Sequence, residues 1–173
     1  MIVITAPHLY IPRYDEITIF LAGGITGCYD WQKETIDHLR RFVGGDDDQV
    51  VVYNPRQENF DINNPYSATD QITWEFQYLS NVDIFSMYFV GGDQIQPICM
   101  YELGRYTKPY GDQQVISVEM DYVRKNDVVI QVALASKGVT TVHTNASPYL
   151  HAKHIFETIN RVKESRMRNQ KCH

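Results

Sequence analysis

Two glutamates in this chain have the surroundings that covalent or acid–base chemistry needs. Glu102 lies in Ile98-Cys-Met-Tyr-Glu-Leu-Gly104, among mostly apolar neighbours. A carboxylate held beside a pocket can attack an anomeric carbon and form a covalent glycosyl ester. A helix-surface glutamate would fit the same position. Gly104, two residues on, would permit close backbone packing. Glu75, in Thr73-Trp-Glu-Phe76, offers a second carboxyl. One carboxylate would attack a sugar while the other, protonated, hydrogen-bonds the leaving base. An ordinary exposed glutamate is the competing reading of Glu75.

Other residues suggest binding rather than catalysis. Gly23-Gly24-Ile-Thr-Gly27 resembles a phosphate-cradling turn without matching a dinucleotide fingerprint or a P-loop. Its glycines would let a flat ligand approach the backbone. Tyr29 and Trp31 could stack on a planar base, or pack in a core. Arg56, after Asn54-Pro55, could bind an anion or order a carboxylate, and structural pairing is equally open. His151 and His154, three apart, have no evident third ligand, so no metal is expected. No Ser-His-Asp or Cys-His arrangement stands out. Cys28, Cys99 and Cys172 are odd in number and widely spaced, which suggests neither a disulfide framework nor a zinc site.

These residues must be positioned by strands and helices that alternate. Apolar runs predict strands at 17–22, 49–53, 82–90, 114–118 and 139–143, the third being the most apolar. Helical spacing follows each: 31–42 with Asp30 as its N-cap, about 69–79 capped by Thr69 or Asp70, 97–107 opened by Pro97, about 127–136, and a last helix opened by Ser147-Pro148. The turn after the first helix is assigned to Gly44–Asp48. Residues 56–68 read as a long irregular loop. The alternation predicts an α/β, flavodoxin-like three-layer sandwich. Its five-stranded parallel sheet has order 2-1-3-4-5, with helices on both faces. Ligands of such sheets bind beyond the carboxyl ends of the strands, which selects segments 23–31, 53–60 and 90–102.

The chain has 173 residues, enough for one domain over 1–173 with a sizeable core. The net charge of −5 disfavours a nucleic-acid polymer as partner. Residues 148–173 hold six Lys or Arg against two acids, read as a solvated terminal helix face. No apolar run has the length of a membrane span, and residues 1–12 lack a secretory pattern, so a cytoplasmic location is expected.

The order and spacing of several short motifs resemble the nucleoside 2-deoxyribosyltransferase family, in its divergent deoxyribosyltransferase-like branch. They are Gly23-Gly24-Ile, Asp30-Trp31-Gln32, Asn54-Pro55-Arg56, Ile72-x-Trp74-Glu75, Asp83-Ile84, Pro97-Ile98 and Glu102-Leu103-Gly104, within roughly residues 17–130. The resemblance implies a flavodoxin-like enzyme that moves a 2-deoxyribosyl group between bases without cofactor or metal. It places the nucleophile on Glu102 and the acid that contacts the base on Glu75. It places a sugar contact on Gln96, and its matching motifs hold the other expected substrate contacts, Gly23, Gly24, Asp30, Trp31, Asn54 and Arg56. It also places near Asn126 an asparagine lent by a neighbouring subunit, which implies a homo-oligomer. Asp83, at the opposite strand end, reads as structural. Phe20 stands where the family has a tyrosine, and Gln96 where it has an aspartate. The expected partners are a small-molecule nucleoside and nucleobase. The alternatives are an N-glycosidase that uses water as acceptor, whose nucleotide form would need Arg56 and the glycine turn for phosphate, and a non-catalytic nucleobase-binding module.

Overall fold

Continuous β-branched and aromatic runs leave no polar face to a strand, so strands of this kind must be covered on both sides. In the computed structural model, which describes all residues but 45–48, 59, 61–63, 65, 109, 110, 112, 172 and 173, they form one parallel sheet. The strands are β1 (Ile2–Thr5), β2 (Ile17–Gly23), β3 (Val50–Asn54), β4 (Ile84–Phe89), β5 (Gln114–Val118) and β6 (Val142–Thr144), in the order β1-β3-β2-β4-β5-β6. The helices are α1 (Trp31–Val43), α2 (Ser67–Leu79), α3 (Pro97–Tyr106), α4 (Lys125–Ala135) and α5 (Pro148–Lys171).

Strand periodicity divides the core into two layers. Phe20 and Ala22 of β2, with Phe85, Met87 and Phe89 of β4, point toward α2, α3 and α4. Ile17, Ile19 and Leu21, with Ile84 and Tyr88, point toward α1 and α5. The five expected strands keep the expected order, and the sheet has a sixth. Short β1 pairs with β3 through Ile2 to Thr5, and the Ala6 N–H extends the pairing to the Asn54 carbonyl at 3.0 Å. Four residues at an edge carry too little pattern to be read from composition alone.

Element ends moved for identifiable reasons. Helix α2 starts two to three residues before the expected cap, because the Asn64 side chain accepts the Tyr66 N–H (3.0 Å) and leads the chain into the first turn. Strand β6 starts three residues later than expected. Residues 138–140 instead close the end of α4, with Gly138 N–H on the Ala133 carbonyl and Thr140 N–H on Ser136 Oγ. Most of the turn assigned to residues 44–48 lies outside the described residues. Asp83 clamps the amino ends of the strands. Its carboxylate accepts the Thr18 N–H (2.8 Å) and hydroxyl and pairs with Arg166 of α5 at 2.5 Å. No helix among the described residues is long and apolar enough to cross a membrane.

Candidate active site

At the carboxyl ends of β2 and β4 the chain leaves in opposite directions, and the gap between the departing segments is a cavity of about 310 Å³. Its floor is Phe20 and Ala22. One wall is the Gly23–Thr26 backbone, and the other is the segment Gln94–Cys99. Glu75 of α2 and Glu102 of α3 both line it. The two helices meet close by, where the Arg105 guanidinium lies 4.7 Å over the Phe76 ring.

Each glutamate is placed by its own helix. Pro97 is the first residue of α3, preset for helical φ, which puts Glu102 in the second turn and beside the cavity. Trp74 and Tyr78 bury the inner face of α2 against Tyr53, and the Trp74 indole N–H donates to the His8 carbonyl at 2.9 Å. Glu75 is thereby held at the border between that face and the cavity. Burial, and secondarily the charge of Glu75, pushes the Glu102 carboxyl up to about 8. Burial also raises Glu75, against a hydrogen bond from Gln71 that lowers it. Burial and the nearby glutamates push the Cys99 thiol up strongly, so it stays a neutral part of the wall. Among the described lining residues there is no Lys, Arg or His.

Gln96 takes a left-handed conformation (φ 45°) just before α3. Its amide N–H donates to the Val90 carbonyl (2.8 Å), and its buried Oε1 has no hydrogen-bond partner. That atom sits against Gly24, where an added Cβ would come within 2.6 Å of it. Gly23, at φ 150°, passes so close to Tyr88 that a Cβ would lie 2.3 Å from its carbonyl oxygen. The glycines therefore serve close packing of the chain on itself, as well as lining the cavity.

Several expected contact residues stand behind this wall rather than in it. Trp31 is corrected from a stacking platform to a core residue. It is fully buried, stacks on Tyr88 with centroids 4.8 Å apart, and donates its indole N–H to the Gly24 carbonyl at 2.9 Å. Neither face of the ring is open to a base. Arg56 is likewise occupied. Its Nε donates to Gln32 Oε1 (2.9 Å), and one terminal nitrogen reaches the carbonyls of Gly24, Ile25, Cys28 and Tyr29 at 3.0–3.4 Å. Asp30 caps α1 through the Lys33 N–H (3.0 Å) and pairs with Arg56 at 3.4 Å. Asn54 Oδ1 accepts the Arg56 N–H (3.1 Å). These three side chains lock the turn whose backbone lines the cavity, and none of them lines it. Asn126 is exposed on the first turn of α4, outside the cavity of its own chain.

Sequence reasoning passed over Gln94 and Ile95, which line the cavity. Their only signal was membership of segment 90–102. Gly104 corrects another expectation: it is exposed on α3 and an added Cβ would meet nothing within 4 Å, so it serves no close packing. His151 is a core residue, neutral and bonded to Ser86 and Ser117 hydroxyls at 2.7 Å each, with burial lowering it to about 3. His154 stacks instead on His143. Among the described residues no group of three or more His, Cys, Asp and Glu side chains is arranged to hold a metal ion.

A family model described as nucleoside 2-deoxyribosyltransferase like matches residues 16–132. The chain belongs to that family. A search of curated proteins finds no match. The matched stretch of this nucleoside 2-deoxyribosyltransferase-like protein runs from the start of β2 into α4. It therefore contains both cavity glutamates and every described residue of the cavity wall. Strands β1 and β6 and helix α5 lie outside it and extend or cover the sheet.

Proposed function

We propose that the protein is a nucleoside deoxyribosyltransferase, with Glu102 as nucleophile and Glu75 as the acid that serves the base. The observation that carries the reading is the pair of carboxyls in one mostly apolar cavity at the strand ends. Glu102 carboxylate attacks C1′ of a 2′-deoxynucleoside as the bond from C1′ to the base nitrogen breaks. The electron pair of that bond goes to the base, which takes the proton of Glu75. A second base then attacks C1′ through its nitrogen, Glu102 leaves as carboxylate, and Glu75 recovers a proton from the incoming base. A sugar without a 2′-hydroxyl gives up its base more readily, because its oxocarbenium-like transition state carries one less electron-withdrawing group. Two carboxyls and good positioning then suffice.

The reactive state has one proton and one charge on the pair. Burial, and secondarily the charge of Glu75, pushes Glu102 up to about 8, so its proton must move before it can attack. Positive charge developing on the sugar favours the Glu102 carboxylate and so moves the proton to Glu75. The two carboxyls thus titrate as a coupled pair.

The absence of a cation from the described lining favours an uncharged nucleoside over its phosphate, since Arg56 is already committed to the turn. The same carboxyls would serve water as acceptor, so an N-glycosidase is the second reading. Exposed apolar residues rim the cavity: Ile95 and Ile98, both in its lining, are 59% and 65% exposed. Such a rim supports a homo-oligomer in which a neighbouring chain brings Asn126 to the site.

The test is incubation with a panel of deoxynucleosides, with and without a second free base. Exchanged nucleoside is the expected product. Free base and deoxyribose in the presence of a good acceptor would make the protein a hydrolase. Saturable binding without product would make it a binding module.

A further inference from the structure

Gln71 lies one helical turn before Glu75 on α2, and both polar atoms of its amide have partners. One N–H donates to the Pro55 carbonyl at 2.8 Å and the other to Glu75 Oε1 at 2.6 Å. Its carbonyl oxygen accepts a short hydrogen bond from the Gln57 amide. The Pro55 oxygen can only accept. Rotating the amide by half a turn would set oxygen against oxygen there. The Pro55 carbonyl therefore fixes the orientation, and Gln71 is a donor to Glu75.

We infer that Gln71, backed by Gln57, is a positioning residue for Glu75 that aims its acidic proton and strengthens it as a proton donor. This rests on the function proposed above. An N–H directed at Oε1 makes that oxygen the acceptor, so the proton of the neutral acid sits on Oε2. When the proton passes to a leaving base, negative charge appears on the Glu75 carboxyl. The Gln71 hydrogen bond then becomes charge-assisted and stronger than it was in the ground state. An interaction that strengthens along the reaction lowers the barrier rather than merely tightening binding. The groups that face Glu75 from α3 act in the opposite sense: the Glu102 carboxylate, when charged, opposes charge on Glu75, and Cys99 is neutral. Among the described residues, Gln71 favours the Glu75 anion.

Gln71→Leu keeps the bulk and removes the donor. Turnover of natural deoxynucleosides should fall about tenfold to a hundredfold, the usual value of a hydrogen bond to a charged group. An aryl deoxyriboside whose leaving group needs no proton should lose far less, because its departure does not draw on the Glu75 proton. Gln57→Ala removes only the outer amide and should give a smaller loss with the same substrate dependence, which serves if Gln71→Leu folds poorly. Equal losses on both substrates would make Gln71 structural and overturn the inference.

A second readout needs no turnover. With glutamates labelled at the side-chain carboxyl carbon, the NMR signal of Glu75, identified by its loss in Glu75→Gln, should titrate at higher pH in Gln71→Leu than in the wild-type chain. An unchanged midpoint overturns the inference. A raised midpoint in a protein that turns over no deoxynucleoside would leave the contact standing and remove the proposed function.

Discussion

Glu75 on α2 and Glu102 on α3 face one cavity, where burial first and the charge of Glu75 second push the Glu102 carboxyl up to about 8. The fold creates this conflict by placing both groups at the strand ends without a described cation beside them. The conflict has a cost in stability with a definite sign. A carboxyl whose pKa is raised on folding binds its proton more tightly in the native state than in the unfolded chain. Its contribution therefore favours the fold at low pH and turns against it as pH rises from about 4.5 toward about 8. Glu102→Gln removes the ionisation. Its melting temperature should match that of the wild-type chain at pH 4 and exceed it by several degrees at pH 8. Thermal denaturation across that range checks this, and a difference independent of pH would mean that Glu102 ionises freely.

Arg56 is expected to act through the turn and not through phosphate. Arg56→Ala takes the Arg56 donor from the Gln32 amide oxygen and the Cys28 carbonyl, and one of two donors from the carbonyls of Gly24, Ile25 and Tyr29. Denaturant unfolding should show a loss of about 2–3 kcal/mol. Arg56→Lys should recover little, because an ammonium cannot span that set of acceptors. The ratio of activity on a nucleoside to activity on its monophosphate should stay unchanged in any folded variant. Selective loss of the phosphorylated substrate would assign Arg56 an anion site.

The glycines divide sharply. Gly23→Ala forces a Cβ against the Tyr88 carbonyl and the Trp31 ring at a φ of 150°, and should cost more than about 2 kcal/mol or prevent folding. Gly104→Ala meets nothing and sits inside a helix, so it should stabilise the protein by about 0.5–1 kcal/mol with activity unchanged. Urea titrations and assays of both variants check the contrast. A destabilised Gly104→Ala would mean that another chain packs on that face of α3.

That pair of glycines illustrates what a sequence reveals and what it does not. Strand runs such as 17–22 and 82–90 are continuous in type, so the sheet order and the cavity's place at its carboxyl end were legible. Glu75 and Glu102 were legible as a pair because each stands among apolar residues on a helix that follows a strand. Trp31, Arg56 and Gly104 were not, since residue type is silent about direction. A tryptophan after an N-cap can face a ligand or a core, and here the Gly24 carbonyl and the Tyr88 ring claim it. An arginine after Asn-Pro can face an anion or its own chain, and here a cluster of backbone carbonyls lies within reach. Gln71 escaped notice because its partners, Pro55 and Gln57, come together with it only in three dimensions.

Asn126 is exposed at the start of α4 and cannot line the cavity of its own chain, which makes its proposed role testable by mixing. Glu102→Gln and Asn126→Ala chains should each be nearly inactive. Refolded together, they should regain a fraction of wild-type activity through sites that combine an intact Glu102 with a neighbour's intact Asn126. Light scattering should show an oligomer under assay conditions. A fully active monomer would end the shared-site idea, and an oligomer without restored activity would end the part given to Asn126.

The central claim is that Glu102 becomes bonded to the sugar. The most direct measurement is acid quenching of the enzyme during turnover of a deoxynucleoside, followed by proteolysis and mass spectrometry of the peptides. The account predicts a deoxyribosyl ester on the Glu102 side chain that disappears when a second base is added in excess. It also predicts no adduct in Glu102→Gln, whose turnover should be at least a hundredfold lower. Product formed at a normal rate by Glu102→Gln, or an adduct mapped to Glu75 or another residue, would contradict it.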